Sequence, residues 1–122
     1  MTNDNASLVS ATPIFHVFDI SQALDWYQQV LGFQIAWTWG EPISNASVCR
    51  DAAEINLAVE SGSQLSIARA YFETHNVDAF HDRVVQAGGN VTIPLADRPY
   101  GMRDFRVIDP TGNELSFGEP MP

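Results

Sequence analysis

A chain of 122 residues, 45% apolar and 17% charged, is long enough and apolar enough to bury one core, which excludes a disordered tract. Its formal charge of −9, from 15 acidic against 6 basic side chains, argues against a nucleic-acid surface, and leaves open a field that attracts cationic ligands. The single Cys49 forms no internal disulfide, no apolar run reaches a membrane span, and the start Met1-Thr-Asn-Asp-Asn lacks the basic and apolar parts of a secretion signal. A cytoplasmic setting with no membrane partner is expected.

Residues 1–11 are polar and without periodicity, and read as a tail ahead of the domain. Thr12 to Phe18 predicts a strand with Thr12, Ile14, His16 and Phe18 on one face. In the helix that follows, Ala23, Tyr27, Val30 and Leu31 form one apolar stripe. Asp19 or Ser21 caps its start and Gly32 stops it. Phe33, Ile35, Trp37 and Trp39 should share a face of the second strand. Residues 40–46 carry turn chemistry, Ser47–Arg50 and Glu54–Val59 read as a hairpin across Asp51-Ala-Ala, and residues 60–64 read as a linker.

The pattern then repeats about 57 residues on. Asn76-Val77 matches Asp19-Ile20, Phe80, Val84 and Ala87 match Ala23, Tyr27 and Val30, and Gly89 stands for Gly32. Ile67 to His75 should be the preceding strand, with Arg69, Tyr71 and Glu73 on one face, and Asp78 to Ala87 the second helix. A strand over Asn90–Ile93 should lead into a proline-rich rim loop, Pro94 to Gly101. Met102–Ile108 and Glu114–Phe117 close the chain as a hairpin across Asp109-Pro-Thr-Gly-Asn, which has type I turn chemistry. Helices segregated from mostly antiparallel strands make the fold class α+β, a single domain over 12–122 with modules at about 12–60 and 67–119.

The candidates for catalysis are sparse. His16 reads as a strand residue, His75 as a residue near a helix start, and His81 as part of a solvated helix face. Cys49 reads as a small buried apolar side chain, with no spacing that pairs it to a histidine. No glycine-rich phosphate loop is present.

Two segments nonetheless resemble a known family. Phe-Asp-Ile-x-x-Ala-Leu-Asp-Trp-Tyr with Val-Leu-Gly-Phe, followed by Pro-Tyr-Gly-Met-Arg-Asp-Phe-Arg-Val-Ile-Asp-Pro-Thr-Gly-Asn, look like the vicinal oxygen chelate superfamily of glyoxalases, extradiol dioxygenases and bleomycin resistance proteins. The resemblance runs from Thr12 to Glu119 and implies two βαβββ modules whose strands curl into a cleft. It also implies four metal-ligand positions, which in this chain are Thr12, Asn56, Arg69 and Ser116. None is a histidine or a carboxylate, so no metal and no cofactor are expected.

The branch that remains is the metal-free bleomycin resistance group, whose members are dimers holding a large cationic antibiotic between aromatics and carboxylates. By that resemblance Trp37, Trp39, Tyr71, Glu73, Tyr100, Arg103 and His16 are candidate ligand contacts, and the protein is a binding homodimer with no catalytic residue. The rival expectations are a metal-dependent lyase, isomerase or dioxygenase with a displaced metal site, and a dimeric scaffold with a vestigial cleft.

Overall fold

The structure, a computed structural model, describes residues 4–60, 62 and 65–122. The linker expected over residues 60–64 therefore falls partly outside the described residues. The first module runs β1 (Ile14–Val17), α1 (Ile20–Gln29), β2 (Gln34–Trp39), β3 (Asn45–Arg50) and β4 (Ala53–Val59). The second runs β5 (Arg69–Glu73), α2 (Val77–Gln86), β6 (Asn90–Asp97), β7 (Met102–Ile108) and β8 (Glu114–Pro120). The strands form two separate sheets, ordered β1-β4-β3-β2 and β5-β8-β7-β6, each with one parallel pair and two antiparallel pairs. This is the α+β, twice-repeated module that the periodicity predicts. The strands β3, β5 and β8 differ from the predicted spans by about two or three residues at an end, the ordinary fraying of such boundaries.

Each helix covers one face of its own sheet. Phe15, Val17, Ile55, Leu57, Ala46 and Val48 bury their side chains beneath α1, and Val107, Phe105, Leu115 and Phe117 do so beneath α2, in one continuous core. The helices are capped by different means. Asp19 accepts from the Gln22 amide at 3.0 Å, a local N-cap. Asn76 makes no such bond, and instead the Glu119 carboxylate, from β8, accepts from the Asn76 and Val77 amides at 3.1 Å each. Those two backbone donors hold the Glu119 carboxyl below the usual range. At the far end the left-handed residue is Gly88, at φ +83°, and not Gly89: α2 ends at Gln86, the repeat of Gln29, but the chain turns left-handed one residue sooner than it does at Gly32 after α1.

The last carbonyls of α1 meet two guanidinium groups. Arg50 donates to Leu31 O at 2.9 Å, and Arg83, from α2, donates to Val30 O and Gln29 O at 3.3 and 3.4 Å. Cations at a helix C-terminus answer both the orphan carbonyls and the negative end of the dipole.

The modules are joined by the β7–β8 turn. Asp109 Oδ1 accepts from the amides of Thr111, Gly112 and Asn113 at 2.9–3.0 Å, while its Oδ2 accepts from Tyr27 Oη of α1 and Asn113 Nδ2, both at 2.9 Å. Asn113 also donates to His16 O on β1 and accepts from the Ala68 amide ahead of β5, both at 2.9 Å. Burial, and then the Asp109 charge, raise the Tyr27 phenol well above its ordinary value. Asp109→Ala should strip a buried network of its acceptor and cost roughly 3 kcal/mol or more, against about 1–2 kcal/mol for Tyr27→Phe. Urea unfolding monitored by circular dichroism checks both the order and the size of these losses.

Candidate functional site

Because each helix covers one face, the opposite face of each sheet is left open, and strand register decides which side chains stand there. On the first sheet, Ile14, Asn56, Ser47 and Trp37 form one cross-strand row, and His16, Ala58, Asn45 and Trp39 the next. Trp37 is 45% exposed and Trp39 69%. The predicted grouping of Phe33 and Ile35 with the two tryptophans is corrected here. A bulge between Ile35 and Trp37 shifts the register by one residue: Phe33 is buried and Ile35 faces Val48, but Trp37 faces Ser47 on the open side. Without that bulge the tryptophans would point into the core.

On the second sheet the open rows are Arg69, Glu114 and Ile108, then Tyr71, Ser116 and Arg106, then Glu73, Gly118 and Asp104. Gly118 lets the middle and last rows touch. A Cβ built there would lie 1.9 Å from Tyr71 Oη, so only glycine allows the Tyr71 ring to cross β8 and reach Asp104 on β7. Tyr71 Oη and Tyr100 Oη both donate to Asp104 Oδ2, at 2.8 and 2.6 Å, and Arg98 Nε donates to Asp104 Oδ1 at 2.8 Å. Asp104 itself is buried. Burial pushes its carboxyl up, but the bonds from Tyr100, Arg98 and Tyr71 outweigh that and hold it below the usual range. The same contacts raise both phenols: burial and then the Asp104 bond for Tyr71, the Asp104 bond foremost for Tyr100.

The rim differs from its prediction. β6 continues through Pro94 to Asp97, with register shifts at Val91–Ile93 and Ile93–Ala96, so that the proline sits in a break of the ladder, where its missing N–H costs least. The loop proper is residues 98–101, and Tyr100 stands on it, 66% exposed.

The sequence candidates thus divide. Trp37, Trp39 and His16 share the open face of the first sheet, and Tyr71 and Glu73 that of the second, with Tyr100 bonded beside them. Arg103 lies elsewhere: it pairs with Glu119 on the helix side and holds Asp78 of α2 at 2.7 Å and Asp97 at 3.1 Å. The alternation of β7 sends Asp104 and Arg106 to the open face and turns Arg103 away. His81 is corrected too: it is half-buried, its ring meeting Phe105 edge-on at 5.0 Å. Asp104, Arg98 and Arg106 were missed as site residues. Strand alternation could have flagged Asp104 and Arg106, but not Arg98.

The four family metal positions do not fit a divalent ion. Thr12 precedes β1, the Arg69 guanidinium is tied to Glu114 at 2.7 Å, and the Ser116 hydroxyl accepts from Arg106 at 3.2 Å. Asn56 Oδ1 is buried with no partner among the described residues, a single neutral oxygen facing no other donor of a metal set. Among the described residues no three His, Cys, Asp or Glu side chains cluster as a metal site. Two cavities adjoin the faces. One of about 490 Å³ lies at the module seam beside Thr12, Glu54 and Tyr71, and one of about 580 Å³ lies on the helix side among Phe33, Arg50, Phe72 and Phe80.

Two βαβββ modules with uncovered sheet faces define a class of protein, and comparison with known proteins supplies the family. The chain belongs to the Glyoxalase/Bleomycin resistance protein/Dioxygenase superfamily, whose sequence profile matches residues 13–117. No functionally curated protein matches it in sequence. Among solved structures, TioX from Micromonospora sp. ML1 superposes with a TM-score of 0.81 at 20% identity, over 90% of this chain and 97% of its own. The bleomycin-binding protein of Streptomyces verticillus, complexed with copper(II)-bleomycin, gives 0.75 at 22% identity over 92% and 96%. The bleomycin resistance determinant encoded on transposon Tn5 gives 0.81 at 16% over 93% and 98%. At these identities the likeness is one of fold.

Asp104→Asn should lower the Tyr71 and Tyr100 phenols toward the ordinary tyrosine range, while leaving buried Tyr27 high. Spectrophotometric titration of tyrosinate reads this directly. In the unaltered protein all three phenols should resist ionisation around pH 10, the unperturbed value.

Proposed function

We propose that this protein binds a cationic aromatic small molecule of bleomycin type, without a metal, in a groove formed where the open sheet faces of two copies meet. The observation that carries the reading is the set of large aromatics on those faces: Trp37, Trp39, Tyr71 and Tyr100 are 45–69% exposed, where most other rings of the chain are buried or half-buried and only Phe18 is as open. Surface rings of this size, beside a carboxylate, suit a planar cation, through stacking and cation–π contact. Glu73 stands one cross-strand neighbour from the Tyr71–Gly118–Asp104 crossing, and the net charge of −9 adds a favourable long-range field.

A second copy is part of the proposal because, among the described residues, a single chain leaves the largest side chains of both faces exposed. Ile14, 57% exposed on the edge strand opposite the tryptophans and in the same cross-strand row as Trp37, extends the apolar surface that a partner would cover. His16 sits in the same row as Trp39, and is a further contact in this groove. Such a protein acts by sequestration, so no residue needs a catalytic role. The metal-dependent lyase, isomerase or dioxygenase reading would need three or more donors, and the positions where they belong hold a guanidinium and neutral groups instead.

Metal-free bleomycin added to the chelator-treated protein is expected to quench tryptophan emission saturably. Trp39→Ala should weaken binding by roughly 0.5–2 kcal/mol, the scale of one cation–π or stacking contact, and Glu73→Gln should weaken cationic guests more than neutral ones. Sedimentation should show a dimer at micromolar concentration. Saturable binding that appears only after a divalent metal is added would defeat the metal-free part of the proposal.

A further inference from the structure

All six basic residues of the chain are arginines, and their placement is uneven. Arg50 and Arg83 cap α1, and Arg103 holds Asp78 and Asp97 on the helix side. The remaining three, Arg69, Arg98 and Arg106, all serve the open face of the second sheet. Arg98 is matched there by Asp104. Arg69 and Arg106 are not matched one for one, because they share a single carboxylate oxygen, Glu114 Oε2, at 2.7 and 3.4 Å.

That end of the face therefore carries one positive charge in excess, in a strongly acidic protein. The donors are also available. Arg69 uses only Nε among the described residues, and its side chain is 64% exposed, so both terminal nitrogens point to solvent or to a guest. Arg106 donates through Nε to Ser116, which orients its guanidinium in the next row. The neighbours across the strands, Ile108 and Asn90, carry no charge that would cancel the excess. At the other end of β5 the balance reverses: Glu73 and Asp104 stand against Arg98 alone. Tyr71 lies between the two ends. Glu73 is four residue steps along the strand from Arg69, about 13 Å at roughly 3.3 Å per step.

We infer that this face is dipolar and takes a zwitterionic aromatic ligand, its carboxylate, phosphate or sulfate held by Arg69 and Arg106 and its cationic end by Glu73 beside Tyr71 and Tyr100. The inference rests on the proposed use of this face as the ligand groove, and adds the anionic half of the ligand, which an aromatic and acidic rim does not imply. The guanidinium fork is the chemistry suited to it, since it binds an oxyanion through two parallel N–H donors. Glu114 has a second effect, because by sharing its carboxylate it holds both arginines in place while partly neutralising them.

Three probes separate the halves: 4′-amidinobiphenyl-4-carboxylate, its methyl ester, and biphenyl-4-carboxylate. They place a cation and an anion at opposite ends of one rigid aromatic, then remove each charge in turn. Titration calorimetry on the full-length protein should find the zwitterion about tenfold tighter than the ester, the scale of one charge-assisted bidentate contact. In Arg69→Gln that ratio should fall toward one with the ester's affinity unchanged. In Glu114→Gln it should widen, since a carboxylate that competes for both guanidinium groups is gone, an outcome that loss of structure would not produce. Equal binding of zwitterion and ester by the unaltered protein, or a ratio kept in Arg69→Gln, would overturn the dipolar assignment while leaving the groove itself standing. No saturable binding of any of the three would remove the groove, and the inference with it.

Discussion

Asp109 is the carboxylate on which the two modules converge, and most of the architecture follows from how it is satisfied. A buried charge is tolerated only when its acceptor sites are filled, and here three backbone amides, one phenol and one carboxamide fill them. The phenol belongs to α1 and the amides to the β7–β8 turn, so satisfying the charge docks one module on the other. Asn113 extends the network to β1 and to the segment before β5. With the modules locked together, the cores merge into one, and among the described residues the large aromatic side chains of the outer sheet faces stay exposed.

Those faces then set what the protein can do. A solvent-facing sheet surface ordinarily carries small polar and charged residues, whereas this one carries two tryptophans, two tyrosines, and an ion network that includes half the arginines of the chain. The Asp104 cluster fixes Tyr71 and Tyr100 before any ligand arrives, which lowers the ordering cost of binding. Of the four positions that the resemblance assigns to a metal, three are neutral, and the fourth, Arg69, is a guanidinium paired to Glu114.

How much was legible in the sequence depended on how local the determinant was. α1 could be read because its stripe and its Asp19 cap lie within one stretch, and the Asp109 turn because Asp, Pro and Gly fall at turn spacing. The partner that gives that turn its weight, Tyr27, is 82 residues away, and nothing in the spacing announces the pair. The cap of α2 was hidden for the same reason, since Glu119 comes from the last strand. Strand alternation placed Tyr71 and Glu73 together correctly, but failed at the bulge after Ile35, where one extra residue reverses the facing of Trp37 and Trp39. Gly118 reads as an ordinary strand glycine until the ring that crosses it is seen.

The central claim is that ligands are taken on the open sheet faces without a metal. The three tryptophans, Trp26 on α1 and Trp37 and Trp39 on β2, give it a direct reading through their indole N–H resonances. Titrating metal-free bleomycin into 15N-labelled, chelator-treated protein should shift the Trp37 and Trp39 signals and leave Trp26 in place. Movement of Trp26 with Trp37 and Trp39 unchanged, or shifts that require an added divalent ion, would contradict it.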